Sequence, residues 1–508
     1  MSKNRRGFSF CSCFLFRKKR YVYIFFATLG ENLSNKYGGG IILPMTENYQ
    51  DNVKKFTEKL GVNKNFDVLK KVLKVGDGEV TLFYIDGLIK DGAMQKLFIY
   101  LLSLKKMPKD ATAFLEENMP YVECDVTENE EMMLQMVLSG ATLMMGTTFG
   151  GSAMIIDART YPARETAEPE NDRVMRGARD GFVETLIFNT ALIRRRIRDV
   201  TLTMEYQTVG KSSKSDVVVA YMSDRADPKL VRYITDKISS LKTDAVTMGH
   251  ESLAEALIKS RWYNPFPKIR YTERPDTAAA HLLEGSVIVL LDNAPSAMIL
   301  PTSIFTFLQE TNDFYLPPLT GTYLRLVRHA VFWLTLFLTP LWFLGVLNPD
   351  MVPQWLAFAL PEERGTLPIY LQLLLAEFVI DGLRMASMNT PDMLANSLSV
   401  VGGLILGEFA VDVGWLIPEV ILYMAFVAIA NFTQTSFELG YALKFMRILL
   451  LTLTAFFNFW GFLAGVVLVL ILIATNRTVN GGHSYLYPLI PFSGKTLLSL
   501  LVRRKKRH

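Results

Sequence analysis

Apolar residues change their spacing twice along the chain, and each spacing predicts a different kind of element. From Phe66 to Pro301 short apolar runs alternate with amphipathic ones. "EVTLFYIDGLI" is rich in β-branched and aromatic residues and reads as a strand. "DGAMQKLFIYLLSL" follows with helical periodicity. Later "DVVVAYMSD" (216–224) is followed by "ADPKLVRYITDKISSL", again strand then helix, with Pro228 near the helix start. Beyond about Pro318 the apolar runs lengthen towards the length a bilayer requires.

The first region reads as a duplication. "VLSGATLMMGTTFGGSAMIID" (137–157) and "LLEGSVIVLLDNAPSAMILP" (282–301) each predict a helix end, a glycine, a strand, a turn and a second strand. Both contain Ser-Ala-Met-Ile, at Ser152–Ile155 and Ser296–Ile299, at nearly the same distance from Gly140 and Gly285. Two tandem α/β units follow, about 66–160 and 200–301. The apolar run 286–300 is therefore expected to be a buried hairpin turning at Asp292–Pro295, not a membrane span.

Between the units lies "PENDRVMRGARDGFVETLIFNTALIRRRIRD" (169–199). Asp180 predicts an N-cap, with Phe182, Val183, Leu186, Ile187, Ala191 and Ile193 on an apolar face. Arg194, Arg195, Arg196 and Arg198 fall on the last turn, where cations suit the helix dipole. Arg173, Arg176 and Arg179 precede the helix and are expected to meet acids such as Glu165, Glu168, Glu170 and Asp172 of a neighbouring chain or domain.

Four later segments are candidate spans: 324–347, 367–386, 414–432 and 447–474. A fifth, 393–413, is glycine-rich and interrupted by acids, as a broken or re-entrant helix would be. Glu377, Asp381 and Arg384 share one helical face, and Glu408 and Asp412 repeat the four-residue step. Glu419, Asn431, Gln434 and Glu438 add polar groups. Ionisable groups in spans face a bundle interior or a water pathway. Five acids against Arg384 are more than neutral pairing needs. The residues leave three readings open: a cation pathway, structural ion pairs, or a transporter-like coupling site. Arg325 and Arg328 before the first span, with the tail "RRKKRH", place both flanks on the cytoplasmic side; Lys444 and Arg447 oppose that count.

Composition narrows the class. Half of the 508 residues are hydrophobic and only 20% are charged, less than in ordinary soluble domains. A net charge of +5 does not imply nucleic acid, and the arginine stretch lacks interleaved base-stacking aromatics. Three cysteines without a C-x-x-C pair and five scattered histidines predict neither a disulfide framework nor a metal site. "VGKSSKS" fails the phosphate-loop spacing because Glu205 stands where glycine is required, and "SGKT" (493–496) fails at Leu489. Neither a nucleophile elbow nor a dinucleotide fingerprint is present, so no enzyme chemistry and no cofactor are expected. Residues 1–44 carry basic residues, a short apolar run and Gly38–Gly40 before Met45. They read as an over-extended start, with a signal peptide as the alternative.

Three stretches together carry a resemblance: the arginine-rich 168–199, "LIKSRWYNPFPKIRYTERPDTAAAHLLEGSVIVLLDNAPSAMILPTSIFTFLQ", and "LGEFAVDVGWLIPEVILYMAFVAIANF". From about Asn65 to the last span the chain resembles the A subunits of spore germinant receptors, the GerA family, and within it the stage V sporulation protein AF branch. Ala178 and Asp180 depart from the proline and glutamate of the family's "VRGPREGF"-type motif and favour that branch over nutrient-sensing receptors.

The resemblance implies a spore inner-membrane protein acting in germination, with its N-terminal domain and C-terminal tail facing the cytoplasm. It implies a lipid-embedded homo-oligomer, a pentamer being one arrangement, that conducts ions with other membrane germination subunits. A germinant-binding receptor subunit is the alternative, and a scaffold for other germination proteins a third.

The expected organisation is an N-terminal extension (1–44), a first cytosolic α/β unit (45–165), an arginine-rich linker helix (166–199) and a second α/β unit (200–318). An α-helical multi-pass membrane domain of four to five helices (319–475) and a basic tail (476–508) complete it. Candidate ion-pathway residues are Glu377, Asp381, Arg384, Glu408, Asp412 and Glu419. Candidate oligomer or domain contacts are Arg176, Gly177, Arg179, Gly181, Phe182, Arg194, Arg195 and Arg196.

Overall fold

A computed structural model describes residues 45–119, 121, 123–161, 177–258, 263–362, 365–389, 403, 410–434, 436–476, 478–479 and 484–502. Met1–Thr46 is a unit of its own, and Glu47–His508 contains both sheets and the helical bundle.

The first sheet is built from β1 (Val68–Val75), β2 (Gly78–Ile85), β3 (Cys124–Thr127), β4 (Thr142–Gly146) and β5 (Ala153–Ile156) in the order β1-β2-β4-β5-β3. Every neighbouring pair is antiparallel. Helices α2 (Asp91–Ser103) and α3 (Ala111–Asn118) bury Leu97, Leu101 and Phe114 against one face. On the other, α1 (Tyr49–Lys59) sets Phe56 against Phe83, and Lys55 and Lys59 tie α1 to Glu130 of α4 (Glu130–Leu138).

The second sheet repeats this plan. It holds β6 (Leu202–Val209), β7 (Ser215–Met222), β8 (Arg270–Thr272), β9 (Val287–Leu291) and β10 (Ala297–Leu300) in the order β6-β7-β9-β10-β8, again antiparallel throughout. Helices α5 (Leu186–Arg196) and α8 (Pro275–Leu283) cover one face with Leu192, Ile193 and Leu282. Helices α6 (Pro228–Ser239) and α7 (His250–Leu257) cover the other with Leu230, Ile234 and Leu253.

The duplication extends to backbone detail. After α4, Gly140 (φ 99°) sends its N–H to Val137 O at 2.8 Å, and Ala141 N–H reaches Met136 O at 3.0 Å. After α8, Gly285 (φ 93°) bonds to Leu282 O at 2.9 Å, and Ser286 to His281 O at 2.9 Å. This is the same left-handed helix stop used twice, and it requires glycine at both positions.

His250 opens α7 with Nδ1 3.1 Å from Ser296 Oγ and its ring 5.9 Å from that of Tyr271. Burial pushes its pKa down to about 4, so the folded ring is neutral, whereas an exposed histidine titrates near 6.5. Between those values the unfolded chain takes up a proton that the fold refuses, and stability falls as pH falls, by about 1.4 kcal/mol per unit. Hydrogen exchange should show β9 and β10 of the native chain losing about 2 kcal/mol more than His250→Gln between pH 7 and pH 5. Equal losses would mean that this ring does not govern the unit's acid response.

Beyond the sheets an apolar bundle begins with α9 (Pro318–Leu347), followed by α10 (Ile369–Asn389), α11 (Pro418–Phe432) and α12 (Phe437–Thr475). Helices α9 and α12 are long and apolar enough to cross a membrane, and α11 is a shorter apolar helix. The span expected at 447–474 is not one rod. Asn458 adopts φ 52°, ψ −133° and reverses the chain. A Cβ on Gly461 would fall 1.9 Å from the Leu453 carbonyl oxygen, and one on Gly465 2.7 Å from Leu450 Cδ2. In a continuous helix those partners would stand more than about 10 Å apart at 1.5 Å per residue. The arms 437–457 and 459–475 therefore pack antiparallel, and Leu443, Leu450, Val469 and Ile473 share one core. Asn458 is paired with Asn348 at the end of α9 (2.5 and 3.0 Å).

Both ends of α12 lie against the second α/β unit: Leu439, near its start, shares a core with Phe266 and Phe307, and its other end is hydrogen-bonded to the same unit. Asn264 donates to Leu472 O (3.0 Å) and Asn476 to Phe266 O (3.3 Å). The short helix α13 (Gly494–Leu501) also returns to the start of α9, where Arg325 donates to Leu500 O (3.4 Å).

Candidate functional site

Helix α10 and the first arm of α12 (437–457) run antiparallel, with their polar residues facing each other in order. Glu377 accepts from Arg447 Nε at 2.6 Å and Nη2 at 2.5 Å, and lies 3.5 Å from Lys444 Nζ. One turn on, Asp381 pairs with the same Lys444. Arg447 also donates to Thr335 O of α9 at 2.8 Å, and Lys444 to Glu377 O at 3.2 Å. Tyr370 hydroxyl meets Thr452 at 3.0 Å and closes the ladder at its far end. Glu377, Lys444 and Arg447 are almost completely buried; the Asp381 side chain retains 31% exposure. A small cleft between α10, α11 and α12 is lined by these four residues together with Arg384 and Asn431.

This corrects the count of five acids against one arginine. Two further cations, Lys444 and Arg447, neutralise Glu377 and Asp381, and Arg384 pairs with neither. Its guanidinium lies 3.8 Å from the ring centroid of Phe437 and 5.2–5.3 Å from those of Tyr441 and Phe432, a cation–π arrangement. Lys444 and Arg447, which opposed the positive-inside count, are engaged inside the bundle and lose that weight. Asp412 is exposed in the helical turn Ala410–Asp412, and Glu419 is half-buried in the first turn of α11. Glu408 lies outside the described residues, as does most of the expected segment 393–413.

The arginine-rich linker divides differently from expectation. The predicted helix from Asp180 begins instead at Leu186, with Thr185 as its cap residue. Asp180 is taken by Arg196 (2.6 Å), and Phe182 N–H is held by Glu273 O (2.8 Å), so the backbone before Thr185 is drawn away from a helix. Ile187 is exposed rather than on the apolar face, while Phe182, Leu186, Ala191 and Ile193 are buried.

Arg194 is fully buried. It clasps Asp67 through Nε (2.9 Å) and Nη2 (3.0 Å) and donates to Leu202 O (3.2 Å), tying the first unit to the second within one chain. Asn65 Oδ1 accepts from Met204 N–H at 2.9 Å beside it. Arg195 lies over the Tyr161 ring at 4.6 Å. Gly177 and Arg179 are exposed and Gly181 is buried; Arg176, like Arg173, lies outside the described residues.

A third cluster joins the second unit to α9. Arg328 donates to Asp313 at 2.7 and 3.1 Å and also pairs with Glu310; Arg325 Nε lies 3.4 Å from Asp313. Tyr315 hydroxyl donates to Asp276 Oδ2 at 2.7 Å, and Arg274 pairs with the same carboxylate at 2.6 Å. Burial opposes ionisation of Asp276, but the Arg274 and Tyr315 hydrogen bonds outweigh it and hold the group below the usual carboxylate range. Burial, then the Asp276 carboxylate, push the Tyr315 phenol up. Sequence periodicity missed this cluster; the close grouping of Glu310, Asp313, Arg325 and Arg328 was the available signal.

Two structurally repeated α/β units leading into an apolar bundle with a buried ionic ladder define the class: a two-part α/β protein with a membrane-capable helical domain. The chain belongs to the Bacillus/Clostridium GerA spore germination protein family, whose sequence model matches residues 54–508. It is 39% identical to stage V sporulation protein AF of Bacillus subtilis (strain 168) over 457 residues, covering 89% of this chain and 91% of that protein. It is 25% identical to spore germination protein KA of the same organism over 454 residues, 88% of this chain and 82% of that one. Among solved structures it is similar to the N-terminal domain of the A subunit of the Bacillus megaterium spore germinant receptor GerK3. That match has 21% identity and a TM-score of 0.40, covering 51% of this chain and 97% of the other. A role in spore germination and association with a spore membrane follow from the family and the two membrane-capable helices.

Proposed function

We propose that the protein is a subunit of an oligomeric cation-conducting assembly of the spore inner membrane that opens during germination. The ladder of Glu377 and Asp381 against Lys444 and Arg447 carries this reading. A set of buried charges contributes little to net stability over well-packed apolar residues, so its presence in an apolar bundle points to a working element. Glu377 is locked within one protomer. Asp381, at the open side of the cleft, the exposed Asp412 and the half-buried Glu419 are the carboxylates that attract cations. The ladder then acts as a charge-balanced latch whose exchange of partners frees Asp381.

Exposed aromatics support oligomerisation in lipid. Phe378, Phe456 and Trp460 are 73–75% exposed in a single chain and require lipid, further copies or partner germination subunits to cover them. The reversal at Asn458 brings both ends of α12 back to the second α/β unit and supports a multi-pass arrangement with the α/β units and the tail in the cytoplasm.

Planar-bilayer recording of the purified chain tests the reading. Asp381→Asn is expected to lower cation conductance or change its selectivity. Native conductance that is unaltered by this substitution would move the pathway away from the ladder.

A further inference from the structure

Three parts of the chain converge on the segment 304–315. From the second sheet and α8, Arg270 donates to Thr306 O (2.6 Å) and Gln309 O (3.0 Å), Thr277 hydroxyl meets Thr311 hydroxyl (2.7 Å), and Asp276 holds Tyr315. From α9, Arg328 grips Asp313 and donates to Leu308 O (3.2 Å). From the linker, Ala178 O accepts from Arg274 (2.9 Å), and Gly177 lies flat against the Tyr315 ring. A Cβ at Gly177 would stand 2.5 Å from Tyr315 Cζ, and its φ of +126° disfavours any other residue. Asp313, with no exposed surface, sits two positions before Tyr315. Helix α9 then continues to Thr335, whose carbonyl accepts from Arg447 of the ladder.

We propose that Gly177 and Tyr315 form a coupling joint: the linker seats the Tyr315 ring, the ring fixes Asp313 beneath Arg325 and Arg328, and α9 carries displacements of the α/β units to the ionic ladder. The inference rests on the conducting reading for its consequence, but the joint can be measured without it. Gly177 and Tyr315 are positioning residues, remote from Asp381, and act through α9. The segment is short and clamped on both sides by charged groups, so it transmits movement as a rigid body rather than absorbing it.

Hydrogen exchange of the full chain in lipid nanodiscs tests the joint. Gly177→Ala is expected to accelerate exchange in 304–325 about tenfold while β1 and β2 stay unchanged, which also shows that the fold is intact. Tyr315→Phe, which keeps the ring and loses the Asp276 bond, is the milder variant should Gly177→Ala not fold. Combined with Asp313→Asn, either substitution should add little to the single effects; full additivity, or no acceleration, overturns the joint.

In bilayers the same variants should change open probability and leave unitary conductance as in the native chain. A changed unitary conductance would put these residues in the pathway and overturn the proposal. A native chain that conducts nothing would defeat the conducting reading, while the exchange cycle still decides the joint.

Discussion

Arg194→Ala is expected to destabilise the α/β region by about 3–5 kcal/mol, because it strands the buried Asp67 carboxylate without a counter-charge. Both side chains are almost wholly inaccessible, at 0% and 2%, so water cannot replace the lost donors. The loss should appear in denaturant unfolding of the purified chain, and in hydrogen exchange as weaker protection of β1 and β6 together. Arg194→Met combined with Asp67→Leu should recover most of it, since removing both charges leaves none unpaired. A loss below about 1 kcal/mol from the single substitution would mean that the two sheets are held mainly by apolar contacts such as Phe66 against Tyr206.

Arg447→Met should act with similar force in the bundle. It leaves Glu377 with Lys444 alone, at 3.5 Å and already engaged by Asp381. A loss of about 3–5 kcal/mol is expected, visible as a lower melting temperature in detergent and less folded protein in the membrane fraction. Adding Glu377→Gln should restore both. Asp381→Asn alone should disturb folding much less, because the Asp381 side chain is partly solvated. If Arg447→Met melts like the native chain, the ladder does not hold the bundle together.

Much of the α/β region was legible in the sequence because its signals are local. Strand alternation, Pro228 at a helix start, and the glycines at Gly140 and Gly285 each act within a few residues. The shared Ser-Ala-Met-Ile segments lie in equivalent strands, β5 and β10, of two sheets with one strand order. In the bundle, the periodic face of Glu377 and Asp381 was readable, but its partners were not. Lys444 and Arg447 lie 63–70 residues away, and helical spacing describes only one helix at a time. The partners of Arg384 were hidden for the same reason: they are aromatic rings at the end of α11 and the start of α12. The helix expected from Asp180 failed because Arg196 competes for its carboxylate. The reversal at Asn458 leaves hydropathy unbroken; Asn458 with Gly461 and Gly465 was the only local trace, marking where two backbones approach.

That reversal has an arithmetic consequence. A hydropathy profile sees one uninterrupted apolar stretch and counts a single crossing, whereas two arms give an even number. Parity decides the side of every residue that follows. A miscount of one at Asn458 would put Tyr485 and Leu500 at the opposite end of the bundle from the start of α12. Yet Tyr485 O accepts from Ile304 N–H at 3.0 Å, and Arg325 reaches Leu500. One asparagine thus returns the chain to the end of the bundle at which α12 begins, however many helices precede it.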